Sequence, residues 1–363
     1  ISQVFVKTDF VYDWTGNNKM DFGFKSILYN INPGTYDPSG EGSLVQRDVL
    51  QKDKGLESAI YIGDEWEITP KLSVNAGIRY SMFNALGSRS YYTYQPGLLP
   101  HENTVSDTLS AGSGKVLKTY HGPEFRLSAR YAVADNISVK AGFNSMRQYI
   151  HKLSNTSIMS PTDTWKLSDY NIKPQKGWQA AAGVYYNTPN DIWEFSIEGY
   201  YKQMDDYLDY RNKAKLLMNH HIETDVIATE GYAYGVEFAV KKTIGKHNGW
   251  LSYTYSRTFL RQNNSLITNP VNDGDWYPTE YDKPHDFKFV GNYRFTRRYS
   301  LSMNLDYSTG RPTTIPAWQY YDKTLGAMRV YYLDRNSYRI PDYFRTDISF
   351  NIEPSHKLTL LTY

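Results

Sequence analysis

Adjacent histidines beside carboxylates are the first side chains in this sequence that could do chemistry. His220 and His221 lie in the segment 204–231, together with Asp209 and Glu223. Imidazole and carboxylate groups are common zinc ligands, but a zinc site needs ligands that converge on one point. Neighbouring side chains on an extended segment point to opposite sides, and no third ligand follows at a regular spacing. We therefore expect no metal site and no cofactor.

A second segment, 272–277, reads Asn-Asp-Gly-Asp-Trp-Tyr. Its acidic turn chemistry could hold calcium, since Asp and Asn oxygens are the ligands that calcium takes. A calcium loop of the EF-hand type also needs a glutamate at its far end, and that glutamate is absent here. A plain glycine turn is therefore the favoured interpretation of this segment.

Aromatic side chains in the same long segments offer a different chemistry, because flat rings stack on a sugar or on an aromatic chelator. They could equally pack loops together or lie at a membrane interface, where amphipathic rings are favoured. With the two histidines, the candidate ligand-binding residues are Tyr207, Tyr210, His220, His221, Trp276, Tyr277, Trp318, Tyr320 and Tyr321.

Catalytic chemistry is not indicated by any motif. The sequence has no cysteine, and it contains no glycine-rich phosphate loop, no nucleophile elbow and no metalloprotease motif. The 40 Lys and Arg residues nearly balance the 38 Asp and Glu residues, for a net charge of +2. This balance argues against a nucleic-acid partner. The sequence therefore predicts a protein that is not an enzyme and binds no nucleic acid.

The elements that must position these side chains are β-strands. In one segment Trp193, Phe195 and Ile197 alternate with Glu194 and Ser196, and similar alternation recurs along the chain. A period of two predicts a strand with one apolar and one polar face. The chain has no apolar run of the roughly 18 residues that a membrane-spanning helix needs, so a helical membrane protein is excluded.

This patterning predicts fourteen strands, most of them long enough to cross a membrane at a tilt. The predicted strands are residues 3–13, 19–30, 57–68, 71–82, 123–133, 137–149, 175–186, 191–203, 232–243, 248–259, 285–296, 298–308, 342–352 and 356–363. Their connections alternate between tight turns and long segments. Short turns on one rim and long loops on the other are typical of a bacterial outer-membrane barrel, with the turns in the periplasm and the loops outside.

A soluble β-sandwich or propeller is the ordinary alternative for alternating strands. Such domains rarely alternate short and long connections so regularly, and a sandwich core is apolar where these polar faces carry charges. Trp14, Trp66, Trp193 and Trp250 also lie near short turns, as a periplasmic aromatic girdle requires, although the alternation of its strand points Trp250 inward. The sequence therefore predicts an all-β chain that forms a transmembrane antiparallel β-barrel.

Several segments also occur in an order that is typical of one family. They read YIGDEW and LSVNAGIRY within 61–80, GYAYGVE at 231–237 followed by Lys241-Lys242, GWLSYTYS at 249–256, YDKPHD at 281–286, STGRPT at 308–313 and YRIPDY at 338–343. The ordered set resembles the barrel of a TonB-dependent outer-membrane receptor of the Bacteroidota type.

The resemblance implies a barrel of about 22 strands around a plug domain, in which the fourteen predicted strands would be about the eighth to the twenty-first. Residues 1–363 are then expected to be the barrel domain alone, with the N-terminal plug, the TonB-contacting box and the final strand missing. It also implies partners: outer-membrane lipids, the TonB energy-transducing complex reached through the plug, a possible surface lipoprotein, and a small-molecule or oligomeric nutrient ligand.

The function implied by the resemblance is active import of a scarce siderophore, glycan, peptide or cofactor that extracellular loops capture. The alternative is a passive barrel that serves as a pore, an adhesin or a scaffold in a larger surface complex, and a soluble carbohydrate-binding β protein comes third. Polar-face charges would contact the plug or line the path, although they could simply solvate a wide lumen and form cross-strand ion pairs. These lumen residues are Glu194, Glu198, Lys202, Glu237, Lys241, Lys288 and Arg294.

Overall fold

The computed structural model describes residues 1–40, 42–153, 164–211, 214–215, 217–263, 267, 270–323 and 326–353. In this part of the chain, thirteen long strands form one antiparallel sheet in which each strand pairs with its sequence neighbours. They are β1 (Ser2–Thr15), β2 (Asn18–Ile31), β3 (Asp53–Thr69), β4 (Leu72–Leu86), β5 (Val116–Ala134), β6 (Ile137–Gln148), β7 (Gln175–Asn187), β8 (Trp193–Tyr210), β9 (Val226–Lys242), β10 (His247–Arg261), β11 (His285–Arg294), β12 (Tyr299–Ser308) and β13 (Tyr343–Ile352).

All thirteen strands lie where the alternation predicts them, so the predicted all-β fold is confirmed. The predicted strand at 356–363 lies outside the described residues. A two-residue strand, Tyr277–Pro278, joins the same sheet at the end of β10. Several strands run further on the loop side than predicted, and β5 begins at Val116 instead of residue 123. Residues 116–122 do not alternate between apolar and polar types, which is why the pattern did not reveal this extension.

The register of the sheet creates two different faces, because cross-strand partners point to the same side. Ile62 lies opposite Phe22 on one side and Ile78 on the other, and such apolar residues form an exposed outer face. Arg79 of β4 lies opposite Glu124 of β5 on the other face, which we call the inner face. Most charged residues of the amphipathic strand segments therefore line the inner face, with exceptions such as Asp64, Lys242 and Arg257 on the outer face.

Short turns and long loops alternate along the sheet as predicted. The turns are residues 16–17, 70–71, 135–136, 188–192, 243–246 and 295–298. At the opposite ends of the strands lie six long connections, which we number loop 1 (32–52), loop 2 (87–115), loop 3 (149–174), loop 4 (211–225), loop 5 (262–284) and loop 6 (309–342).

The loops contain small elements of their own. Paired short strands are Thr35–Tyr36 with Asp48–Val49, Arg89–Tyr94 with Val105–Ala111, Ile150–Leu153 with Thr164–Leu167, Pro312–Thr313 with Tyr338–Arg339, and Pro316–Asp322 with Ala327–Tyr332. The helices are single turns at Glu102–Thr104, Ile222–Asp225 and Val271–Gly274. Among the described residues, no helix has the length and hydropathy to cross a bilayer.

The largest buried apolar cluster lies at the loop end of the inner face, beneath loop 3. Phe83 of β4 is 0% exposed, and its ring stacks on Tyr149 with centroids 5.0 Å apart. Ile27 and Ile31 of β2 and Leu167 of loop 3 complete this cluster. Loop 3 therefore folds inward onto the wall, and hydrophobic burial fixes it there.

Candidate ligand-capture site

A network of charged and hydroxyl side chains lies next to this apolar cluster on the inner face. The Arg79 guanidinium donates to Glu57 at 2.9 Å and to both carboxylate oxygens of Glu124 at 3.0 Å. The Ser81 hydroxyl donates to Glu124 at 2.6 Å and lies 2.8 Å from the Tyr149 hydroxyl. Because a guanidinium presents a rigid fork of donors, Arg79 can hold two carboxylates at once. This inner-wall network ties β3, β4 and β5 to loop 3.

A second buried network anchors loops 2 and 3 to the start of β3. The Lys166 ammonium donates to Asp53 at 3.1 Å and to Asp169, and Arg89 of loop 2 also contacts Asp53. The Lys166 side chain is only 5% exposed. Burial and the nearby Arg89 charge lower the pKa of Lys166 to about 8. Burial alone would raise the pKa of Asp169, but the charges of Lys166 and Arg89 bring it below its ordinary value.

A small pocket lies between loops 1 to 4, beside the two predicted histidines. Its volume of about 40 Å³, lined in part by His220, Tyr92 and Glu223, admits water but no organic nutrient. The His220 ring lies 2.8 Å from Asp48 of loop 1, while the His221 ring stacks on Tyr92 at 4.4 Å. The two imidazoles thus have separate partners, and the described residues contain no group of three His, Asp or Glu that could hold a metal ion.

Two of the predicted ligand-binding tyrosines tie loop 5 to β8. Tyr277 is 1% exposed, and its hydroxyl donates to Asp209, which also accepts from Arg335 of loop 6 at 2.6 Å. The Tyr207 hydroxyl contacts the Tyr281 hydroxyl. Burial, followed by the charge of Asp209, raises the pKa of Tyr277 above its ordinary value. These tyrosines therefore make structural contacts that hold loops 5 and 6 on the wall.

Tyr210 and Trp276 lie in two other places. Tyr210 packs against a buried cluster that includes Ile222 of the loop 4 helix. Trp276 meets the ring of Tyr232 edge-on at 4.6 Å, and the guanidinium of Arg261 lies 4.6 Å from a Trp276 ring. Tyr232 belongs to the outer face, so Trp276 lies at the outer side of the wall. This position agrees with the alternative interpretation, in which loop aromatic residues lie at the membrane interface.

The remaining aromatic candidates lie together on a hairpin of loop 6. The strands Pro316–Asp322 and Ala327–Tyr332 form this element, which we call the aromatic hairpin. Trp318 lies opposite Tyr331, and the two rings stack with centroids 4.3 Å apart and planes 10° from parallel. Tyr320, two residues after Trp318, shares the same face. Trp318 is 56% exposed and Tyr320 is 45% exposed.

Polar groups accompany these rings on the same face of the aromatic hairpin. Arg329 lies opposite Tyr320, and its guanidinium forms an ion pair with Asp322 at 3.0 Å. Tyr321 projects from the other face and is also exposed. Flat apolar surface next to a charged donor and a charged acceptor suits a ligand that is itself amphipathic, such as a sugar or an aromatic chelator.

The nine predicted ligand-binding residues therefore do not converge on one point. Three of them, Trp318, Tyr320 and Tyr321, share the aromatic hairpin, and the other six are spread over loops 4 and 5 and the end of β8. Sequence reasoning missed Arg329 and Asp322. These two residues lie seven positions apart and belong to no motif. Only the pairing of the two hairpin strands shows that they lie beside the aromatic rings.

The seven predicted lumen residues all lie on the inner face by the register of the sheet. They are Glu194, Glu198, Lys202, Glu237, Lys241, Lys288 and Arg294. Lys241 donates to Glu194 at 3.3 Å, and both side chains are largely exposed. Glu198 lies directly opposite Glu237. Cross-strand ion pairing thus explains the charges of Lys241 and Glu194. Contact of the seven lumen residues with a plug stays a prediction.

The comparisons with known proteins agree on the fold. The family model described as TonB dependent receptor-like, beta-barrel, matches residues 2–362. Similar solved structures include the ferric-catecholate import receptor Fiu from E. coli K12, the ferripyoverdine receptor of the outer membrane of Pseudomonas aeruginosa, and the copper transporter OprC. Their TM-scores are 0.60, 0.53 and 0.61, with sequence identities of 14%, 12% and 11%. No curated protein sequence matches this chain.

The three structural matches cover 98%, 97% and 98% of this chain but only 48%, 42% and 50% of the other chains. The chain thus spans about half the length of these proteins or less. At such low identities they show the fold alone. The family model, in contrast, covers nearly every residue, and the chain therefore belongs to the family of TonB-dependent receptor-like β-barrels.

Proposed function

We propose that this chain forms the barrel wall of an outer-membrane receptor. The receptor imports a scarce nutrient with energy supplied through TonB. The observation that carries the proposal is that the chain belongs to the family of TonB-dependent receptor-like β-barrels. Its sheet has a charged inner face, and loop 3 is anchored on that face. A large barrel with a polar interior encloses an aqueous space, so selective import requires a plug and a means of capturing the ligand first.

The protein is located in the outer membrane. Its strands cross the bilayer, and the apolar outer face contacts the lipid. The short turns then lie on the periplasmic side and the six long loops on the extracellular side, which is the arrangement of transmembrane β-barrels in this membrane.

In this proposal residues 1–363 form one barrel domain, and the plug that TonB contacts belongs to another part of the full receptor. The support is that the structurally similar receptors are about twice as long as this chain. The inner-face charges, including Glu198 and Lys202, would line the path or contact the plug. A surface lipoprotein that covers the loops is a further proposed partner.

The proposed ligand is a siderophore, glycan, peptide or cofactor that the loops capture. The names of the similar proteins include a ferric catecholate, ferripyoverdine and copper, so one barrel fold is associated with ligands of different chemistry. The aromatic hairpin supports capture of a ligand with a flat apolar face. The family consists of receptors and transporters, and we propose no catalytic role for any side chain of this chain.

Growth on defined nutrients tests this function. The gene that encodes this chain would be deleted, and the strain would be grown on a panel of single iron sources, glycans and vitamins at limiting concentrations. We expect a growth defect on one class of nutrient, restored when the intact gene is returned. Unchanged growth on every limiting source would refute nutrient import.

A further inference from the structure

An apolar groove crosses the outer face near the short turns, between β8 and β12. Gly249 of β10 lies directly opposite Gly291 of β11, and both glycines take positions that belong to the outer face. The two glycines themselves place no side chain at this point of the wall, and the Phe289 ring of β11 lies over Gly291. The groove has a volume of about 470 Å³.

The close approach of backbone atoms of β11 requires a glycine at position 249. A Cβ atom at Gly249 would lie 2.1 Å from the carbonyl oxygen of Val290, and one at Gly291 would lie 2.6 Å from the Phe289 ring. Gly249 also has a φ of +155°, where side chains are rare. The backbone at Gly249 and the Phe289 ring over Gly291 thus form the floor of the groove, and no larger residue fits at position 249 unless the wall shifts.

The sides of the groove are apolar. Phe238 and Val240 of β9, Leu251 of β10, and Leu301 and Met303 of β12 line it. All five belong to the outer face, which contacts the hydrocarbon of the membrane. An occupant must therefore be narrow, flexible and apolar, and a lipid acyl chain meets these conditions and is present at this surface.

The rim of the groove at the turns is positively charged. Lys242 ends β9, Lys246 lies in the next turn, and Arg297 and Arg298 lie in the turn between β11 and β12. Within the part of the chain that the structure describes, none of these four cations has an acidic partner within 4.0 Å. The nearby acidic residues are Asp191, in the turn between β7 and β8, and Glu353, whose backbone N–H donates to the Arg298 carbonyl at 2.9 Å, so four cations face two carboxylates. An anionic group at the rim would thus meet a net positive field.

We propose that this groove is a binding site for an anionic glycerophospholipid of the periplasmic leaflet. One acyl chain occupies the groove over Gly249 and alongside the Phe289 ring, and the headgroup phosphate lies at Lys242 and Lys246. The inference concerns the lipid-facing side of the wall, so it is independent of nutrient import.

Lipid binding to the purified full-length receptor tests the proposal. The receptor would be delipidated in detergent and titrated with phosphatidylglycerol or zwitterionic phosphatidylcholine, with bound lipids counted by native mass spectrometry. We expect one phosphatidylglycerol to bind more tightly than phosphatidylcholine. Leu251→Trp, which fills the groove, should weaken this binding about tenfold, and Lys242→Gln should weaken it about fivefold and remove the headgroup preference.

Matched controls are available on the same wall. Ile62→Trp enlarges an outer-face residue of β3 that does not line the groove, and Lys71→Gln removes a cation from the turn between β3 and β4; both should bind lipid as the unmodified receptor does. Folding of every variant is checked by its heat-modifiable mobility on a gel, and Met303→Trp replaces Leu251→Trp if the latter does not fold. Unchanged phosphatidylglycerol binding in the groove variants, or equal binding of the two lipids to the unmodified receptor, would overturn the proposal.

Discussion

Two regions of the molecule depart from the usual rule that apolar side chains are buried and charged side chains are exposed. They are the inner wall beneath loops 2 and 3 and the aromatic hairpin of loop 6. At the inner wall, charged groups such as Glu124 and Lys166 are buried, although charged residues are almost never fully buried unless they are paired. At the aromatic hairpin, Trp318 and Tyr320 are exposed, although large aromatic side chains contribute most when they are buried.

The difference separates a structural role from a recognition role. The buried charges have partners of opposite sign, and the pairs Arg79–Glu57, Arg79–Glu124 and Lys166–Asp53 join different strands or loops, so they fix where those segments lie. The exposed Trp318 ring stacks on Tyr331, and more than half of the Trp318 surface stays open to solvent. One end of the loop layer is therefore anchored, whereas the other presents surface that a ligand can cover.

The largest effect should follow from removing the cation of the inner-wall network. Arg79→Leu leaves the carboxylates of Glu57 and Glu124 without their shared partner, and breaking a buried ion pair in this way costs about 3 to 5 kcal/mol. Urea unfolding of the refolded receptor in detergent micelles, followed by tryptophan fluorescence, measures this loss. Arg345→Leu removes an exposed arginine that donates two hydrogen bonds to the single carboxylate of Asp347 and should leave the midpoint unchanged. Equal shifts in the two variants would contradict the structural role of the network.

A smaller, pH-dependent effect should come from His151 of loop 3. This residue is 1% exposed, and burial, followed by the charge of Lys166, lowers its pKa to about 4. Because the unfolded chain takes up a proton near pH 6.5 while the folded loop stays neutral, stability present above pH 6.5 is lost as the pH falls toward 4. The loss should reach about 2 kcal/mol at pH 5.

The variant His151→Gln isolates this contribution. Glutamine can still bond to Ser168, which lies 2.9 Å from the His151 ring, but it does not titrate. Urea midpoints at pH 7 and pH 5 would be compared for both proteins, so that the acid response of the rest of the chain cancels. An identical decrease in both would show that His151 is not the titrating group.

The smallest effect on stability should occur at the aromatic hairpin. Trp318→Ala removes an exposed ring whose main contact is Tyr331, so the urea midpoint should stay within experimental error. Nutrient capture should decline about tenfold, as expected for loss of an aromatic anchor. The readout is the nutrient concentration that supports half-maximal growth on the source identified by the deletion strain.

Tyr36→Ala is the control for this variant, because it removes an exposed loop aromatic residue outside the hairpin. It should support growth at the original nutrient concentration. If Trp318→Ala lowered stability and left growth unchanged, the hairpin would belong with the anchoring networks instead of the capture surface.

The strands were predictable because the alternation of apolar and polar side chains that defines each strand lies within a short stretch of sequence. Alternation of side chains such as Trp193 and Glu194 encodes both the strand and its two faces, and long strands in a membrane wall repeat this signal many times. The loop-side extensions lack the signal, since they stand beyond the lipid and no longer need one apolar face.

The contacts of the site were less predictable because they depend on register and on distant residues. The polar face that carries Arg79 was visible in the sequence, but its position between Glu57 and Glu124 follows from the pairing of three strands. The contact of Lys166 with Asp53 joins residues 113 positions apart. Likewise, nothing local distinguishes the buried Tyr277 from the exposed Trp318, because loops have no periodicity that reports burial.

Uptake of the identified nutrient by cells with and without TonB tests the proposed function most directly. Labelled nutrient would be supplied to the intact strain, to a strain lacking TonB, and to cells treated with an uncoupler of the proton-motive force. Active import predicts that cells still bind the nutrient at the surface but no longer accumulate it when TonB or the proton-motive force is removed. Accumulation at an unchanged rate in those cells would show that the barrel is a passive pore.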